Sequence, residues 1–444
     1  MISRTLLLTI PPFLAAPFAA AQQPTLQLSL KHAVEIALTP EGSARVALAQ
    51  QSVRQAETHV SQARAAFLPD LDASVQDRNE TVNLQTFGLN FQTPSGFVLP
   101  TLVGPFTVFD ARGSVQQSVF SFSDIRKYQS ARMSLVASHS DLDTTKNQVS
   151  DQVGRAYLTC LRADADLETA QANVDLSMAL ERLAVSQKNA GTGTGIDVTR
   201  AQVQLANDQQ RLIVAQNDRR RAGLELLRAM GVSLDSSIQL TDKLSYTRVN
   251  VADLEASLKT AREDRAELKT QQRREEVALL NYDSVSAERL PSVSAFGDYG
   301  TTGLQVNDAR PTREYGVTLK VPVFDGLRRD ARRAESYSQY LQERTRTHDL
   351  LQQIELDVRL ALDSLRSAEA QVSTARDGLT LSQNELAQAQ RRYQAGVANS
   401  LEVTDAQTRL IRAQDNQTAA LYNYNLARID LATATGTISE YVNQ

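Results

Sequence analysis

The sequence predicts a mainly α-helical protein with added membrane β-strands, and a long internal repeat is the main evidence. An apolar seam with heptad spacing occurs twice, 205 residues apart. The first copy comprises Val198, Ala201, Leu205, Asp208, Leu212, Ala215, Arg219, Ala222, Leu226 and Ala229. The second comprises Val403, Ala406, Leu410, Ala413, Gln417, Ala420, Tyr424, Ala427, Leu431 and Ala434. Eight and nine of these ten places are apolar, which indicates duplication of a long helical hairpin.

The first 21 residues have the features of a cleavable secretory signal. Arg4 precedes a short apolar run, and Ala19 and Ala21 stand at the small-residue positions before a cut that leaves Gln22 first. The apolar run is too short for a membrane anchor. No cysteine follows the cut, which argues against a lipid-anchored N-terminus. The sequence therefore predicts an exported chain.

Each half also contains two runs of alternating polar and apolar residues, the pattern of β-strands with one apolar face. The β-hairpins are predicted at about 68–120 and 291–324, and each begins at a Leu-Pro dipeptide that ends a helical run. Measured from the proline, the first hairpin has 18 more residues than the second, in a loop at about 83–106. Each half is therefore predicted as helix, strand, loop, strand, very long helix, turn and helix.

The strand pairs suggest a transmembrane β-barrel that several subunits share. Val317, Leu319 and Val321 alternate with small or polar residues, as in membrane strands, although a soluble hairpin with one covered face has the same alternation. Aromatic residues near the presumed strand ends are Phe87, Phe91, Phe106, Phe109, Tyr299 and Tyr315. In lipid every strand edge must be paired, and four strands cannot close a barrel. A membrane barrel would therefore need several chains.

The domain organisation follows from these patterns. The predicted segments are a signal peptide (1–21), a first repeat (22–231), a linker or equatorial segment (232–250), a second repeat (251–436) and a C-terminal tail (437–444). Helical hairpins are predicted at about 124–230 and 325–435. A helix from near Asp124 to near Asn189 would be roughly 100 Å long, since each residue adds about 1.5 Å. No compact domain accommodates such a rod.

Composition argues against nucleic-acid binding and against catalysis. The formal net charge is −4, and acids flank the basic clusters on helices, as on a solvated face. The only cysteine, Cys160, is predicted to be a buried small side chain. The four histidines have no metal-ligand spacing, and the Gly-rich segment 191–195 lacks the lysine of a phosphate-binding loop. We therefore predict no enzyme activity, no cofactor and no metal site.

Two related motifs stand at the turns between the paired helices. They are Gly195-Ile196-Asp197-Val198-Thr199-Arg200-Ala201-Gln202 and Tyr393-Gln394-Ala395-Gly396-Val397-Ala398-Asn399-Ser400-Leu401-Glu402-Val403-Thr404-Asp405-Ala406-Gln407. With the signal peptide and the duplicated helix and strand order, they make the chain resemble the TolC-type outer membrane efflux proteins, the outer membrane factor family. The resemblance covers nearly all of the mature chain.

The resemblance implies a homotrimer in the outer membrane. Each chain would give four strands to a twelve-stranded transmembrane β-barrel, which continues into a long periplasmic α-barrel of coiled-coil hairpins. The expected function is that of a passive exit duct in a tripartite efflux pump or a type I secretion system. The expected partners are outer membrane lipid, a periplasmic membrane-fusion adaptor and an inner-membrane transporter of the RND, ABC or MFS class.

The resemblance also places acidic residues at the periplasmic tip of the duct. Glu402 and Asp405 match the acids that ring the channel aperture, where a threefold repeat favours cations. They are three residues apart and share one helical face. The alternative is that acids at a helix start only complement the helix dipole, with Asp197 as an N-cap. Aperture and cap roles both remain open for Asp197.

Other tip residues carry expectations about gating and docking. Tyr393 matches the family pattern and would tie the inner hairpin to its neighbour. Ala398 stands where some relatives have a basic residue that locks the closed tip, so that the gating network must differ in detail here. The residues expected to dock the adaptor are Gly195, Ile196, Gly396, Val397 and Leu401.

A periplasmic coiled-coil scaffold without a channel is the alternative to the duct, because its helices would have the same pattern. Membrane insertion of the β-hairpins distinguishes the two, since a scaffold would leave the membrane in high salt or carbonate. Within the channel hypothesis the exported substrate is open, whether drug, metal, lipid or protein. The sequence has no His- or Met-rich stretch that would favour a metal-specific tunnel.

Overall fold

The fold is described from a computed structural model that covers residues 26–39, 41–88, 101–248 and 253–443. The predicted signal peptide (1–21), its cut before Gln22, residues 89–100 of the loop 83–106 and the end of the linker 232–250 lie outside these residues. Within the described ranges, no helix combines the length and the apolar character needed to cross a membrane.

The two halves have the same order of main elements. The first half contains β1 (Leu26–Leu28), α1 (Leu30–Leu38), α2 (Ala44–Ala65), β2 (Asp70–Asn83), a 3₁₀ turn (Leu84–Phe87), β3 (Leu102–Phe120), α3 (Phe122–Asn189) and α4 (Gly195–Met230). The second contains β4 (Ile238–Leu240), α5 (Leu254–Asp264), α6 (Ala266–Ala287), β5 (Ser292–Gly303), β6 (Arg310–Lys320), α7 (Arg328–Gln394), α8 (Ser400–Thr435) and α9 (Ile438–Asn443). Helices α3 and α7 have 68 and 67 residues, and each is followed by a helix of 36 residues.

One antiparallel sheet joins the two halves, in the strand order β2-β3-β5-β6. Its central contact is between β3 and β5, where Arg112 pairs with Gly300. Gly300 leaves room there, because a Cβ at this position would lie 2.4 Å from the Cβ of Arg112. Among the described strands, β2 and β6 have a partner on one side only. The sheet therefore ends in two open edges.

The two faces of this sheet differ in polarity as the sequence predicts. On one face the apolar side chains of Leu71 and Tyr315 are 75% and 80% exposed. On the other, the guanidinium of Arg112 donates to Asp110 (Nε to Oδ1, 2.7 Å) and to Asp298 (Nη1 to Oδ1, 3.3 Å). Apolar side chains that find no cover within the chain and ion pairs on the opposite face are the arrangement of a membrane strand.

Strand β3 begins earlier than the sequence suggests. Residues 102–106, predicted as part of the loop 83–106, pair with β2 as far as Leu102 opposite Asn83. A bulge opposite residues 80–82 shifts the register, so that simple alternation stops before the ladder does. The prediction of a loop is wrong for this segment.

A small equatorial body packs against the middle of α3 and contains short strands and helices from both halves. Here β1 pairs in parallel with β4, and the buried Tyr157 hydroxyl lies 3.0 Å from the Leu28 carbonyl and 2.7 Å from Asp242 Oδ2. Helix α9 packs on the same core through Ile438 and Val442. The predicted linker therefore contains a strand, and the predicted tail contains a helix.

The heptad seams hold each long helix to its shorter partner. Every one of the twenty seam residues is buried or half-buried. Two of the three polar seam residues have polar contacts: Asp208 accepts from Ser177, and Arg219 donates to Asp164 (Nε to Oδ1, 2.8 Å). The third, Gln417, has a buried Oε1 without a hydrogen-bond partner among the described residues. Cys160 is fully buried, as predicted, and burial raises the pKa of its thiol to about 11. An intrahairpin apolar seam is thus the main packing interaction of the helical part.

Glycines end the second helix of each hairpin. Gly231 and Gly436 are the C-caps of α4 and α8, in the left-handed region with φ of 70° and 80°. A Cβ at Gly231 would lie 1.4 Å from the carbonyl oxygen of Gly42. The backbone of the equatorial body therefore approaches the end of α4 so closely that only glycine is accommodated.

We predict that Gly231→Ala strongly destabilises the protein. The control is Gly191→Ala, since Gly191 has φ of 75° but open space around its Cα. The control should lower the free energy of unfolding by about 1–2 kcal/mol, the strain of a non-glycine residue in the left-handed region. Gly231→Ala should lower it further, because the new Cβ overlaps the Gly42 carbonyl. The midpoint of thermal unfolding in detergent, measured for both variants, tests this. Equal midpoints would contradict the close approach of Gly42.

Candidate functional site at the tips of the helical hairpins

The two hairpin tips are turns of equal length, 190–194 between α3 and α4 and 395–399 between α7 and α8. Gly191 and Gly396 lie in the left-handed region, with φ of 75° and 71°. In the second turn, the Asn399 side chain is the N-cap of α8 and accepts from the Glu402 N–H at 3.1 Å. Capped helix starts and positive-φ glycines give both tips a defined shape.

Asp197 lies between the two hairpins and is not an N-cap. Thr194 is the N-cap of α4, and its N–H and hydroxyl both donate to Asp197 Oδ2, at 3.0 Å and 2.5 Å. The other carboxylate oxygen accepts a hydrogen bond from the Ser400 hydroxyl of the second hairpin. The Ser400 and Thr194 hydrogen bonds hold the pKa of Asp197 below its usual range. The N-cap expectation is therefore wrong, because the carboxylate is the third residue of the helix.

Tyr393 lies on the same side of the tip, within an apolar cluster. It packs with Val403 of α8 and with Leu180 and Leu183 of α3, and its carbonyl accepts from Gln187 Nε2 at 3.5 Å. Its hydroxyl is buried and makes no hydrogen bond within the described residues. Burial, and then the nearby Asp197 charge, raise the pKa of this hydroxyl. Tyr393 joins the two hairpins of one chain by packing.

The two acids matched to the aperture have different surroundings. Both are exposed on α8. Glu402 pairs with Arg392 at the end of α7, with 2.9 Å between Oε1 and Nε. Asp405 has no ion-pair partner among the described residues. Of these two acids, Glu402 is therefore compensated by a positive charge and Asp405 is not, within the described part of the chain.

The apolar residues expected to dock an adaptor are exposed at the tips. Ile196 and Val397 are 59% and 66% exposed, and Leu401 is also exposed. Gly195 and Gly396 have no atom within 4 Å of an added Cβ. These five residues form an uncovered apolar surface at the end of the molecule.

Sequence reasoning missed two partners at this site. Ser400 is one position from a residue of the docking set, and its role becomes visible only when the two hairpins are side by side. Arg392 precedes Glu402 by ten residues across a five-residue turn, so that antiparallel pairing of α7 and α8 was the available signal. No group of three or more His, Cys, Asp or Glu residues able to hold a metal occurs in the described part of the chain.

Comparison with known proteins agrees with this architecture. Residues 38–232 and 257–437 match the family model "Outer membrane efflux protein". The pyoverdine export outer membrane protein OpmQ of Pseudomonas putida is 27% identical over 416 residues, which are 90% of this chain and 84% of that protein. The alkaline protease secretion protein AprF of Pseudomonas aeruginosa is 24% identical over 345 residues, 74% of this chain and 69% of that protein.

The fold is also that of a solved structure. The outer membrane protein VceC from Vibrio cholerae superposes with a TM-score of 0.76 at 18% identity, over 92% of this chain and 96% of that chain. The family match covers both repeats and most of the sequence. The chain therefore belongs to the outer membrane efflux protein family and is an outer membrane channel protein with a long periplasmic helical part.

Proposed function

We propose that three copies of this chain form a channel-tunnel that is the passive exit duct of an efflux pump or a type I secretion system. The observation that carries the proposal is the four-stranded sheet with two open edges and an exposed apolar face. In lipid, unpaired strand edges are too costly to persist. Pairing β6 of one copy with β2 of the next satisfies both edges, and three copies give twelve strands.

The helices continue this barrel as a wall. Helices α3 and α7 start where β3 and β6 leave the sheet, so that the duct runs from the strands into the helical part without a break. The seams contain many alanines, which allow close side-by-side packing of helices. A wall of four helices from each of three chains encloses a tunnel of about 100 Å, given about 1.5 Å per residue of α3.

The tips form the closed end of this tunnel in our proposal. The Ser400 hydroxyl and the packing of Tyr393 hold the second hairpin against the first. Ala398 cannot supply the charged contact that a basic residue would make, and the Asp197–Ser400 hydrogen bond is a side-chain contact between the hairpins at this tip. Glu402 and Asp405 then surround the aperture, with Arg392 compensating the first of them.

The exposed apolar tip supports docking to a periplasmic membrane-fusion adaptor. Ile196, Val397 and Leu401 have no cover within the chain, and burial of such side chains in a complex is favourable. The adaptor would connect the duct to an inner-membrane RND, ABC or MFS transporter, which supplies the energy. No step in this function requires catalysis or a cofactor.

The exported substrate is chosen mainly by the partners, since the duct itself is passive. One relative is named for pyoverdine export and another for alkaline protease secretion, so that one architecture serves a small molecule and a protein. Identification of the adaptor by pull-down from the native membrane would assign this chain to a pump or to a secretion system.

We predict that the turn between β5 and β6 faces the cell exterior. Asn307 in this turn is exposed and at the end of the strands away from the helices, so that Asn307→Cys should react with an impermeant thiol reagent on intact cells. The control Thr192→Cys, at the tip of the first hairpin, should react only after the outer membrane is permeabilised. Cys160 is buried and stays unlabelled. The reverse pattern would refute the topology. The matching position in the first loop, Ser95, lies outside the described residues.

We predict that charge at the tip sets ion selectivity. The double change Glu402→Ala with Asp405→Ala should weaken cation selectivity and block by trivalent metal ions in planar bilayers, because it removes six carboxylates from a trimer. Arg392→Gln should have the opposite effect, since it frees Glu402. If the acids only complement the helix dipole, the double change costs about 0.3–1 kcal/mol of helix stability. Cation selectivity and block by trivalent ions then stay as in the wild type.

We predict that the Asp197 link resists mild acid. The pKa of Asp197 is lowered in the closed form. The ionised carboxylate therefore stabilises the closed tip fully above the usual Asp pKa of about 3.9, and this stabilisation is lost as the pH falls through the lowered pKa. Conductance should therefore stay low from pH 7 to about pH 4 and rise below that. Asp197→Ala should be conductive throughout, whereas Asp175→Ala, an exposed acid on α3, should behave as the wild type. Opening of the wild type at pH 5 would contradict the assignment.

A further inference from the structure

A carboxylate is buried inside the heptad seam of the first hairpin. Asp208 is 1% exposed and occupies a seam position, where the second repeat has Ala413. An apolar residue at this place would pack as its neighbours do, whereas a buried charge loses its hydration. Asp208/Ala413 is one of three seam positions at which the repeats differ in polarity, with Leu212/Gln417 and Arg219/Tyr424. Of the polar residues at these positions, Asp208 is the most deeply buried.

The partners of Asp208 come from three helices. Its Oδ2 accepts from Ser177 of α3 at 2.5 Å, from the Gln204 amide at 3.0 Å and from the Gln407 amide of α8 at 3.4 Å. The same Gln407 amide donates to the Ser177 hydroxyl oxygen at 2.6 Å. Ser177 and Gln407 are each 1% exposed. We name Ser177, Asp208 and Gln407 the buried Asp208 cluster.

This cluster joins the first hairpin to the second, because Gln407 belongs to α8. The cluster lies farther from the tip than the hydrogen bond between Asp197 and Ser400. Asp208 follows Asp197 by 11 residues on α4, about 16 Å, and Gln407 follows Ser400 by seven residues on α8, about 10 Å. The hairpins are thus linked by polar groups at the tip, through Asp197 and Ser400, and farther along the helices, through the buried Asp208 cluster. Still farther from the tip, Arg155 of α3 pairs with Asp430 of α8.

The segment between the tip link and the buried Asp208 cluster is not completely filled. A cavity of about 30 Å³ lies there, lined by residues of both links and by Tyr393, whose buried hydroxyl has no hydrogen-bond partner among the described residues. Such a space admits a water molecule or two. The packing of Tyr393 and Val403 leaves this space open, and the polar contacts on either side of it add to the alignment of α8 against the first hairpin.

Buried polar contacts cost stability and, in return, specify one alignment of packed helices. Asp208 Oδ1 makes no hydrogen bond within the described residues, and its nearest positive charge, Arg211 Nη1 on the same helix, is 3.9 Å away. The cluster is therefore not an optimal buried ion pair. We propose that the buried Asp208 cluster is a positioning group for gating, which holds the second hairpin in its closed alignment as a second latch above the tip. The proposal rests on the channel function proposed above.

The test compares conductance with thermal stability in purified trimers. Gln407→Leu removes the donor that crosses between the hairpins and leaves Asp208 bonded within the first. Asp208→Leu turns the position into an ordinary apolar seam residue. The matched control is Gln202→Leu, because Gln202 is the repeat equivalent of Gln407 and is exposed. Asp197→Ala is included to open the tip independently.

We expect Gln407→Leu and Asp208→Leu to raise the time-averaged conductance in planar bilayers at least threefold, with thermal midpoints equal to or above that of the wild type. Gln202→Leu should change neither quantity. A role in packing alone would lower the midpoint and leave conductance as it was, and that result would overturn the proposal. If Asp208→Leu prevents trimer formation, Gln407→Leu decides by the same criteria.

Failure of the channel function is distinguishable from failure of this inference. If neither the wild type nor Asp197→Ala conducts ions, the proposed channel itself is wrong, and the latch is rejected with it. If Asp197→Ala conducts while Gln407→Leu and Asp208→Leu match Gln202→Leu, the channel stands and the latch is rejected.

Discussion

The packing of each long helix against its shorter partner through a seam of small side chains is the interaction on which this structure depends. The seam residues of both repeats are buried or half-buried along the full 36 residues of α4 and α8. Away from the equatorial body these helices have no globular core to pack on, and the seam is where they bury much of their apolar surface. It therefore determines which residues remain exposed for neighbouring copies and which meet at the tip.

The same constraint explains how much of the fold could be predicted from the sequence. Periodicity in the seams is repeated many times, so that the ends of α4 and α8 agree closely with the predicted hairpins. The equatorial strands have only three residues each, too few for alternation to be recognised. They form because the chain segments around Tyr157 and Asp242 are brought together by the helices.

The site was predictable only in part, for a related reason. Motifs indicated Asp197, Tyr393, Glu402 and Asp405. The partner of Glu402 lies across the antiparallel turn, and Asp197 and Tyr393 have partners on the other hairpin. The exception Asp208 was visible in the seam, yet a single polar residue in a heptad pattern does not reveal what it contacts. Its partner Gln407 is 199 residues away. Contacts between repeats need the packing of whole helices, which no local pattern contains.

The length of α3 has a mechanical consequence. Its 68 residues make it a lever about 100 Å long, given about 1.5 Å per residue. A tilt of one degree at the membrane end moves the far end by about 2 Å, more than the margin within which a hydrogen bond persists. In the proposed channel, a small tilt of α3 at its membrane end would therefore be enough to break the contact between Ser400 and Asp197. A stiff rod thus converts a slight tilt near the sheet into a displacement of bond-breaking size at its tip.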